Sequence, residues 1–567
     1  MKIRLKNHRK TYYLIIFLFF TQIIISQQIK RETRAVWVST NFGLDWPPKT
    51  YDAQIQKETL RTIFKNIHDK HFNTVYFQVR SNATVMYNSS IEPYSPYLTG
   101  IVGGIPDYDP LKFAIKLGKE YGLEVHAWLN MMRCFSGENK SFLLSPLHIT
   151  NIHPEWINKS FVNGKITYWL NAGLFEVQEY LTRILLEIAL NYDVDGIQLD
   201  YFRYPAVNFN DENEYNKFAF GTDIANWRRN NLTKILKEFK QRVRPKNPFL
   251  KIGVTPIGIR ENMKGATGLE GFHSVYQDTE RWLKESLVDY MVPQIYWPFE
   301  NNPDFGILAQ DWVTKSYGKN IVLGLAAYKP NVKNEIKMMI DFSRKINAAG
   351  IAIFRYENIS NIDNLYFNNI AFPKNMEWKY NNDEVLKYKK EKIKWRITSL
   401  DSSEINIHLQ NNSKVQNNIR YLVLNNLSGE KKKKIKLIKP SIKNIKIKLP
   451  VYKQLLFSYG IEKIDRLWNK AAFVDTINIE VPYLLQLKNS ADVPTKPAIL
   501  DNNIISIFLH KRQNVVLQYF NDKGAIKQEK KELNRGYNFI TCKNLRSIKS
   551  IKLISPNGNL FKTINLF

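Results

Sequence analysis

A chain of 567 residues that is 44% apolar and 13% aromatic carries too much apolar side chain for a disordered polymer and is long enough for two to four domains. Its formal charge of +30 is unevenly placed: from Pro373 onward there are 37 Lys and Arg against 16 Asp and Glu, a net +21, leaving +9 for the first 372 residues. Two distant cysteines, Cys134 and Cys542, exclude a disulfide scaffold, and no nucleic-acid-binding motif accompanies the basic charge, so nucleic acid is excluded as a partner.

Lys2, Arg4, Lys6, Arg9 and Lys10 precede an apolar run from Tyr12 to Ile25, followed by polar Ser26-Gln27-Gln28. The run is shorter than the ~20 residues that span a bilayer. Residues 1–28 therefore read as a secretory signal peptide, with an uncleaved anchor as the alternative. The expected location is the periplasm, the cell surface or the medium.

Strand-like and helical stretches then alternate. Strands are predicted at Thr33–Thr40, Asn73–Arg80, Leu123–Asn130, Ile197–Phe202, Leu250–Pro256, Asp289–Trp297, Asn320–Tyr328 and Gly350–Glu357. Helical spacing occupies Gln54–Lys70, Leu111–Tyr121, Leu174–Tyr192, Asn226–Gln241, Tyr276–Leu287 and Asn334–Asn347. Asp195-Gly196 reads as a turn before the fourth strand. The alternation predicts a (β/α)8 barrel, an α/β fold, over residues 32–372. A doubly wound sheet is the alternative, and no Gly-rich phosphate loop follows the first strand to favour it. After Pro373 the helical period fades and short strands alternate with Asn, Lys and Gly turns. This predicts an all-β sandwich of immunoglobulin or fibronectin type over 373–490 and a small β domain over 491–567. The basic charge of this half suits an anionic wall or membrane surface. A lysine-biased composition accounts for it equally well.

A strand sends alternate side chains to opposite faces. Gln198, Asp200 and Phe202 share one face of the fourth strand, and Ile197, Leu199 and Tyr201 the other. The same polar-aromatic against aliphatic division recurs in three more strands. Tyr76, Gln78 and Arg80 stand against Val75, Phe77 and Val79. His126, Trp128 and Asn130 stand against Val125, Ala127 and Leu129. Val292, Gln294 and Tyr296 alternate with Met291, Pro293 and Ile295. In a barrel the polar face lines the interior and is functional at the C-terminal mouth. Arg80, Asn130, Asp200 and Tyr296 fall at strand ends and should converge there.

That pocket would hold a carboxylate, amides, an imidazole and aromatic rings. His68 and His71 lack any zinc-site pattern, and no serine-nucleophile elbow is present. No metal and no cofactor are expected. Carboxylate chemistry in an aromatic cleft suits glycoside hydrolysis, which needs two carboxyl groups flanking the bond. Asp200 is the first. Asp278 is chosen as the second for its neighbours Tyr276 and Trp282, ahead of Asp45, Glu92, Asp109 and Glu357. Asp195 and Asp289 precede their strands and read as structural. Arg80, His126, Trp128, Asn130, Gln198, Tyr201, Gln294, Tyr296 and Trp297 are the expected substrate-binding residues.

The pieces RAVWVST at Arg34, LDWP at Leu44, FNTVYFQVR at Phe72, YSPYLTG at Tyr94, YDPL at Tyr108, LEVHAWLN at Leu123, DGIQLDYFRYP at Asp195, WRRNN at Trp227, DYMVPQIYW at Asp289 and GLAAYK at Gly324 together resemble the bacterial glycosyl hydrolase family 10-like proteins. The resemblance covers about Glu32 to Ile370. It implies a (β/α)8 barrel, a location outside the cytoplasmic membrane and, as the substrate of characterised members, peptidoglycan glycan strands, above all strands stripped of stem peptides. Three departures bear on substrate preference. Tyr201 follows Asp200 where many members have a second Asp. Thr255-Pro256-Ile257-Gly258-Ile259 replaces Ser-Pro-Phe-Gly-Ile, and Asn130-Met131-Met132-Arg133 replaces Asn-Pro-Tyr-Arg. A non-catalytic glycan-binding or cell-envelope scaffold protein is the competing reading.

Overall fold

The computed structural model describes residues 30–565 apart from 138–140, 163, 363, 382–393, 401–403, 411–417, 428–432, 440–443, 449–455, 471–474, 481–497, 502–503, 510, 535 and 543–546. The predicted signal segment, 1–28, lies outside the described residues.

Eight parallel strands form the heart of the N-terminal half: β1 (Thr33–Val38), β2 (Thr74–Ser81), β3 (Glu124–Asn130), β4 (Gly196–Asp200), β5 (Lys251–Val254), β6 (Tyr290–Met291), β7 (Asn320–Leu325) and β8 (Gly350–Ile353). Each strand pairs with its neighbours in sequence, and β1 pairs with both β8 and β2, so the sheet closes on itself. Between them run α1 (Ala53–Asp69), α2 (Pro110–Tyr121), α3 (Phe175–Asn191), α4 (Ile224–Val243), α5 (Thr279–Lys284), α6 (Phe305–Thr314) and α7 (Pro330–Lys345). Aspartates start five of these helices. The carboxylates of Asp52, Asp109, Asp223, Asp278 and Asp304 each accept an amide N–H from the first turn of α1, α2, α4, α5 and α6, and such a cap contributes about 1 kcal/mol.

The aliphatic face of each strand packs outward. Val36, Val38, Val75, Phe77, Val125, Ala127, Leu129, Ile197 and Leu199 join one large buried cluster with helix residues such as Leu60, Phe64, Leu181 and Leu236. The inner face holds Ala35, Trp37, Tyr76, Trp128, Tyr290, Val292, Val322 and Ala352. Tyr76 and Tyr290 lie nearly parallel at 6.1 Å, with the His126 ring edge-on to both. This ring layer is possible only because neighbouring positions lack side chains. A Cβ on Gly196 would meet the His126 ring at 2.5 Å, and one on Gly253 would meet the Tyr290 ring at 2.0 Å. Gly196 is thus the first residue of β4, selected for space, and not the turn expected from Asp195-Gly196.

The last strands are all antiparallel. One six-stranded sheet runs in the order Asn444–Lys448, Glu404–Gln410, Lys394–Leu400, Gly536–Thr541, Ile504–Leu509, Ala498–Asp501. Its first half packs on a four-stranded sheet through Ile407, Leu409, Ile445, Leu422, Leu424, Tyr459 and Ile461. Its second half packs on another through Ile505, Ile507, Ile540, Leu517, Tyr519, Ile551 and Leu553. The chain after Pro373 therefore forms sandwiches with two cores, and the pairing of Ser399 with Asn538 carries one sheet across the boundary drawn at residue 490.

These β layers meet the closed, N-terminal end of the barrel. Arg420 and Arg466 pair with Asp195, Arg466 also reaches Asp193 at 2.5 Å, and the Trp468 indole N–H donates to Glu124 at 2.5 Å. Lys379 donates to Asp289 at 3.1 Å. Asp195 and Asp289 are structural, as their positions before β4 and β6 imply. Burial would raise the pKa of Asp289, but Arg244 and Lys379 outweigh it and hold the carboxyl below the usual range.

A Gly253→Ala substitution should destabilise the protein by about 1–3 kcal/mol, the usual cost of an added methyl in a packed interior, read by chemical denaturation. Stability equal to wild type would contradict the tight ring layer.

Candidate active site

Above the ring layer, the inner residues become hydrogen-bonding. The Trp37 indole N–H donates to Gln198 Oε1 at 2.9 Å. Gln78 Oε1 accepts the backbone N–H groups of Thr40 and Asn41, each at 2.9 Å, which fixes the loop after β1. Its amide nitrogen lies 3.4 Å from Asn130 Oδ1. One step further up stands Asp200, the last residue of β4, in register with Asn130.

Asp200 is 6% exposed, and its carboxyl is met from three strands or their ends. Trp128 Nε1 donates to Oδ2 at 3.1 Å, and the Tyr201 backbone N–H and Gln294 Nε2 donate to Oδ1 at 2.7 and 3.3 Å. Tyr201 takes a left-handed backbone conformation with φ of 48°, a rare state for a bulky residue. That turn aims its N–H at the carboxyl. Burial raises the pKa of Asp200 above the ordinary carboxylate value, opposed by the Tyr201 amide, Arg133, Arg203 and Trp128. Tyr296 shares this field. Its phenol is raised well above normal by burial and by Asp200, and its ring tilts on Phe354 at 5.9 Å.

Loops complete the mouth. A three-stranded antiparallel sheet between β3 and α3, of Arg133–Phe135, Ile157–Val162 and Lys165–Leu170, brings Arg133 and Trp169 to Tyr201. The Arg133 guanidinium lies 3.6 Å from the Tyr201 ring centroid, and that of Arg203 lies 5.2 Å from it and 5.5 Å from Trp169. Phe354, at the end of β8, touches Trp37, Trp128, Tyr296 and Tyr328. Trp297 sits on the rim beside Lys329.

The structure thus gathers Trp128, Tyr201, Gln294 and Tyr296 around Asp200, with Asn130 in register on the next strand and Gln198 just below. It places three other expected site residues elsewhere. Arg80 points away from the interior because the pairing of β2 with β3 shifts between Gln78 and Arg80, so that Arg80 faces Leu129. A bulge moves the following side chain to the other face. Arg80 is fully buried in a two-pronged ion pair with Glu92, at 2.7 and 2.6 Å, and Tyr180 also donates to Glu92. His126 does face inward, but near the barrel floor. It contacts Tyr290 at 2.7 Å and Glu124 at 3.2 Å, and Glu124 in turn pairs with Lys251. Burial pushes the His126 pKa down, against Glu124.

Asp278 caps α5 through the Arg281 N–H at 3.3 Å. It lines a separate cleft of about 360 Å3 with Arg260, Phe272, Glu280, Arg281 and Lys284, which Asp200 does not line. Its sequence neighbours are core residues: Trp282 is fully buried and bonded to Thr233, and the Tyr276 hydroxyl accepts from Arg228. The other candidate carboxylates are also occupied. Glu92 holds Arg80, and Asp109 caps α2. The Asp45 carboxyl is buried on Ser39 N and Arg355. Glu357 pairs with Arg355 too, but its carboxylate is 66% exposed on the β8 rim. Arg133 and Arg203 were not expected from spacing, although Arg203 stands in the DGIQLDYFRYP segment and Arg133 ends the Asn130-Met131-Met132-Arg133 run. Arg203, three residues after Asp200, was the available signal.

An acid kept dry beside flat aromatic faces equips a barrel to act on sugars, and comparison with known proteins gives the class: a glycoside hydrolase. The family model described as glycosyl hydrolase-like 10 matches residues 32–342, and the chain belongs to that family. Glycosyl hydrolase DigH of Escherichia coli (strain K12) is 31% identical over 342 residues, covering 55% of this chain and 77% of that protein. Glycosyl hydrolase YngK of Bacillus subtilis (strain 168) is 30% identical over 333 residues, covering 56% of this chain and 64% of that protein. An S-layer-related protein of Niallia circulans matches over 192 residues at 25% identity, 30% of this chain and 12% of that protein.

Two outcomes follow for stability. Glu92→Gln leaves Arg80 buried and unpaired, and should cost about 3–5 kcal/mol in urea denaturation; a loss within error of zero would contradict the buried pair. For Asp200, a raised folded-state pKa means that the fold favours the protonated acid. That stabilisation is present at low pH and is lost as pH rises through the raised pKa. Asp200→Asn has no such loss, so the melting-temperature difference should move in the variant's favour between pH about 4 and neutrality. An unchanged difference would contradict the direction of the shift.

Proposed function

We propose that this enzyme cleaves the glycan strands of peptidoglycan outside the cytoplasmic membrane, with Asp200 as the group that protonates the glycosidic oxygen. One observation carries the assignment of Asp200: its carboxyl is buried at the barrel mouth, with its pKa raised, beside aromatic faces on which a sugar ring can lie. An elevated carboxyl pKa is what a general acid requires. Proton transfer from Asp200 to the leaving oxygen accompanies cleavage of the bond to the anomeric carbon. Water completes the reaction by adding to that carbon, and its proton passes to a second carboxylate. Glu357 is assigned that second place, because it keeps an exposed carboxylate on the rim. No metal or cofactor has a part in these steps.

The peptidoglycan substrate is supported by the motif resemblance, and export by the pattern of residues 1–28. The basic half after Pro373 is assigned to holding the enzyme against an anionic wall or membrane surface. The strand Gly524–Leu533, which exposes Lys527 and Lys530, favours that role.

Asp200→Asn should lower the release of reducing ends from peptide-free glycan strands by about 10²–10⁴-fold, the contribution of a general acid. Equal product from variant and wild type would remove Asp200 from the chemistry.

A further inference from the structure

Four arginines buried elsewhere in the barrel have an acidic partner, and a fifth, Arg229, donates to the Asn226 side-chain oxygen and the Phe272 carbonyl. Arg34 is bonded to Glu32, Arg80 to Glu92, Arg228 to Asp211 and Arg260 to Asp311. Arg133 and Arg203, both half-buried, differ. Among the described residues neither forms an ion pair. Arg133 Nε is buried with no hydrogen-bond partner, and Arg203 donates only to the Tyr204 backbone carbonyl at 3.2 Å. Both guanidiniums lie against the Tyr201 ring. They act on Asp200 through space, but the oxygens of Asp200 are bonded by Trp128, Tyr201 and Gln294. Two cations so placed repel each other, and burial together with Arg133 depresses the Arg203 pKa. Their forks of N–H donors match a planar carboxylate.

We propose that Arg133 and Arg203 form a subsite for a carboxylate carried by the sugar chain, making this an enzyme for acidic glycans whose carboxylate is free. The proposal rests on the glycan-hydrolase reading above. In a muramic acid residue the group concerned is the lactyl carboxylate. Attachment of a peptide converts that carboxylate into a neutral amide, which leaves the two guanidiniums without a counter-charge. Selection against peptide-bearing strands then follows from charge as well as bulk.

Two measurements on the full chain test it. In the first, N-acetylmuramic acid and its methyl amide are titrated into wild-type protein. The acid should bind at least about tenfold more tightly, and Arg133→Gln or Arg203→Gln should bring the ratio close to one. In the second, peptide-free glycan strands are compared with the same strands methyl-amidated at the lactyl group. The acid-over-amide ratio of kcat/KM should fall about tenfold in each Gln variant and recover in part in Arg133→Lys and Arg203→Lys, whose melting curves report on folding. Wild-type indifference to the carboxylate, or equal loss on both substrates, would overturn the subsite and leave the arginines as electrostatic support for Asp200. If the acid is preferred in binding but no strand is cut, the subsite stands and the hydrolase reading fails.

Discussion

Closure of the eight-stranded sheet is the constraint on which the rest depends. With β1 bonded to both β8 and β2, every strand must send alternate side chains into one shared interior. That interior is filled in layers. Glu124 and Lys251 lie at the floor, then the Tyr76, His126 and Tyr290 rings, then Trp37 with Gln198, and last Trp128 reaching up to Asp200. Each layer packs against the one above, so the indole N–H of Trp128 reaches the carboxyl from a closely packed support. In such a dry setting a hydrogen bond is stronger than in water and an unmet charge costs more. The position of Asp200 and the direction of its pKa shift both follow.

The opposite end of the barrel is governed by charge. Glu124, Asp195 and Asp289 stand at the starts of β3, β4 and β6, and Trp468, Arg420, Arg466 and Lys379 from the chain after Pro373 meet them. Part of the basic excess of that half is therefore spent inside the molecule, and only the exposed remainder is free for an anionic surface. Buried pairs of this kind fix orientation more surely than they add stability. They hold the β sandwiches at the closed end and leave the mouth to the loops.

Much of this was legible in the sequence. The period-two alternation in four strands assigned Tyr76, Gln78, Trp128, Gln198, Asp200 and Gln294 to the interior, and the structure places them there. What alternation cannot give is height along the barrel axis, so His126 was expected at the mouth although it begins two residues from the floor at Glu124. Nor does it reveal a bulge: the register shift after Gln78 turned Arg80 outward. Asp278 lay in a loop segment with no strand to orient it, and a helix-capping aspartate has the same sequence signature as a catalytic one. Arg133 and Arg203 are not marked by alternation, because their meeting over Tyr201 depends on a loop sheet and a left-handed residue, neither of which has a periodic signal.

The central claim is that the Asp200 carboxyl faces the bond that is broken. A crystal structure of the Asp200→Asn protein with a bound, uncleaved glycan oligosaccharide tests it directly. The account predicts a glycosidic oxygen within hydrogen-bond reach of residue 200, ~3 Å, with a sugar ring against the aromatic faces of the mouth. A glycan seated elsewhere, or one whose glycosidic oxygens all lie beyond that reach, would contradict it.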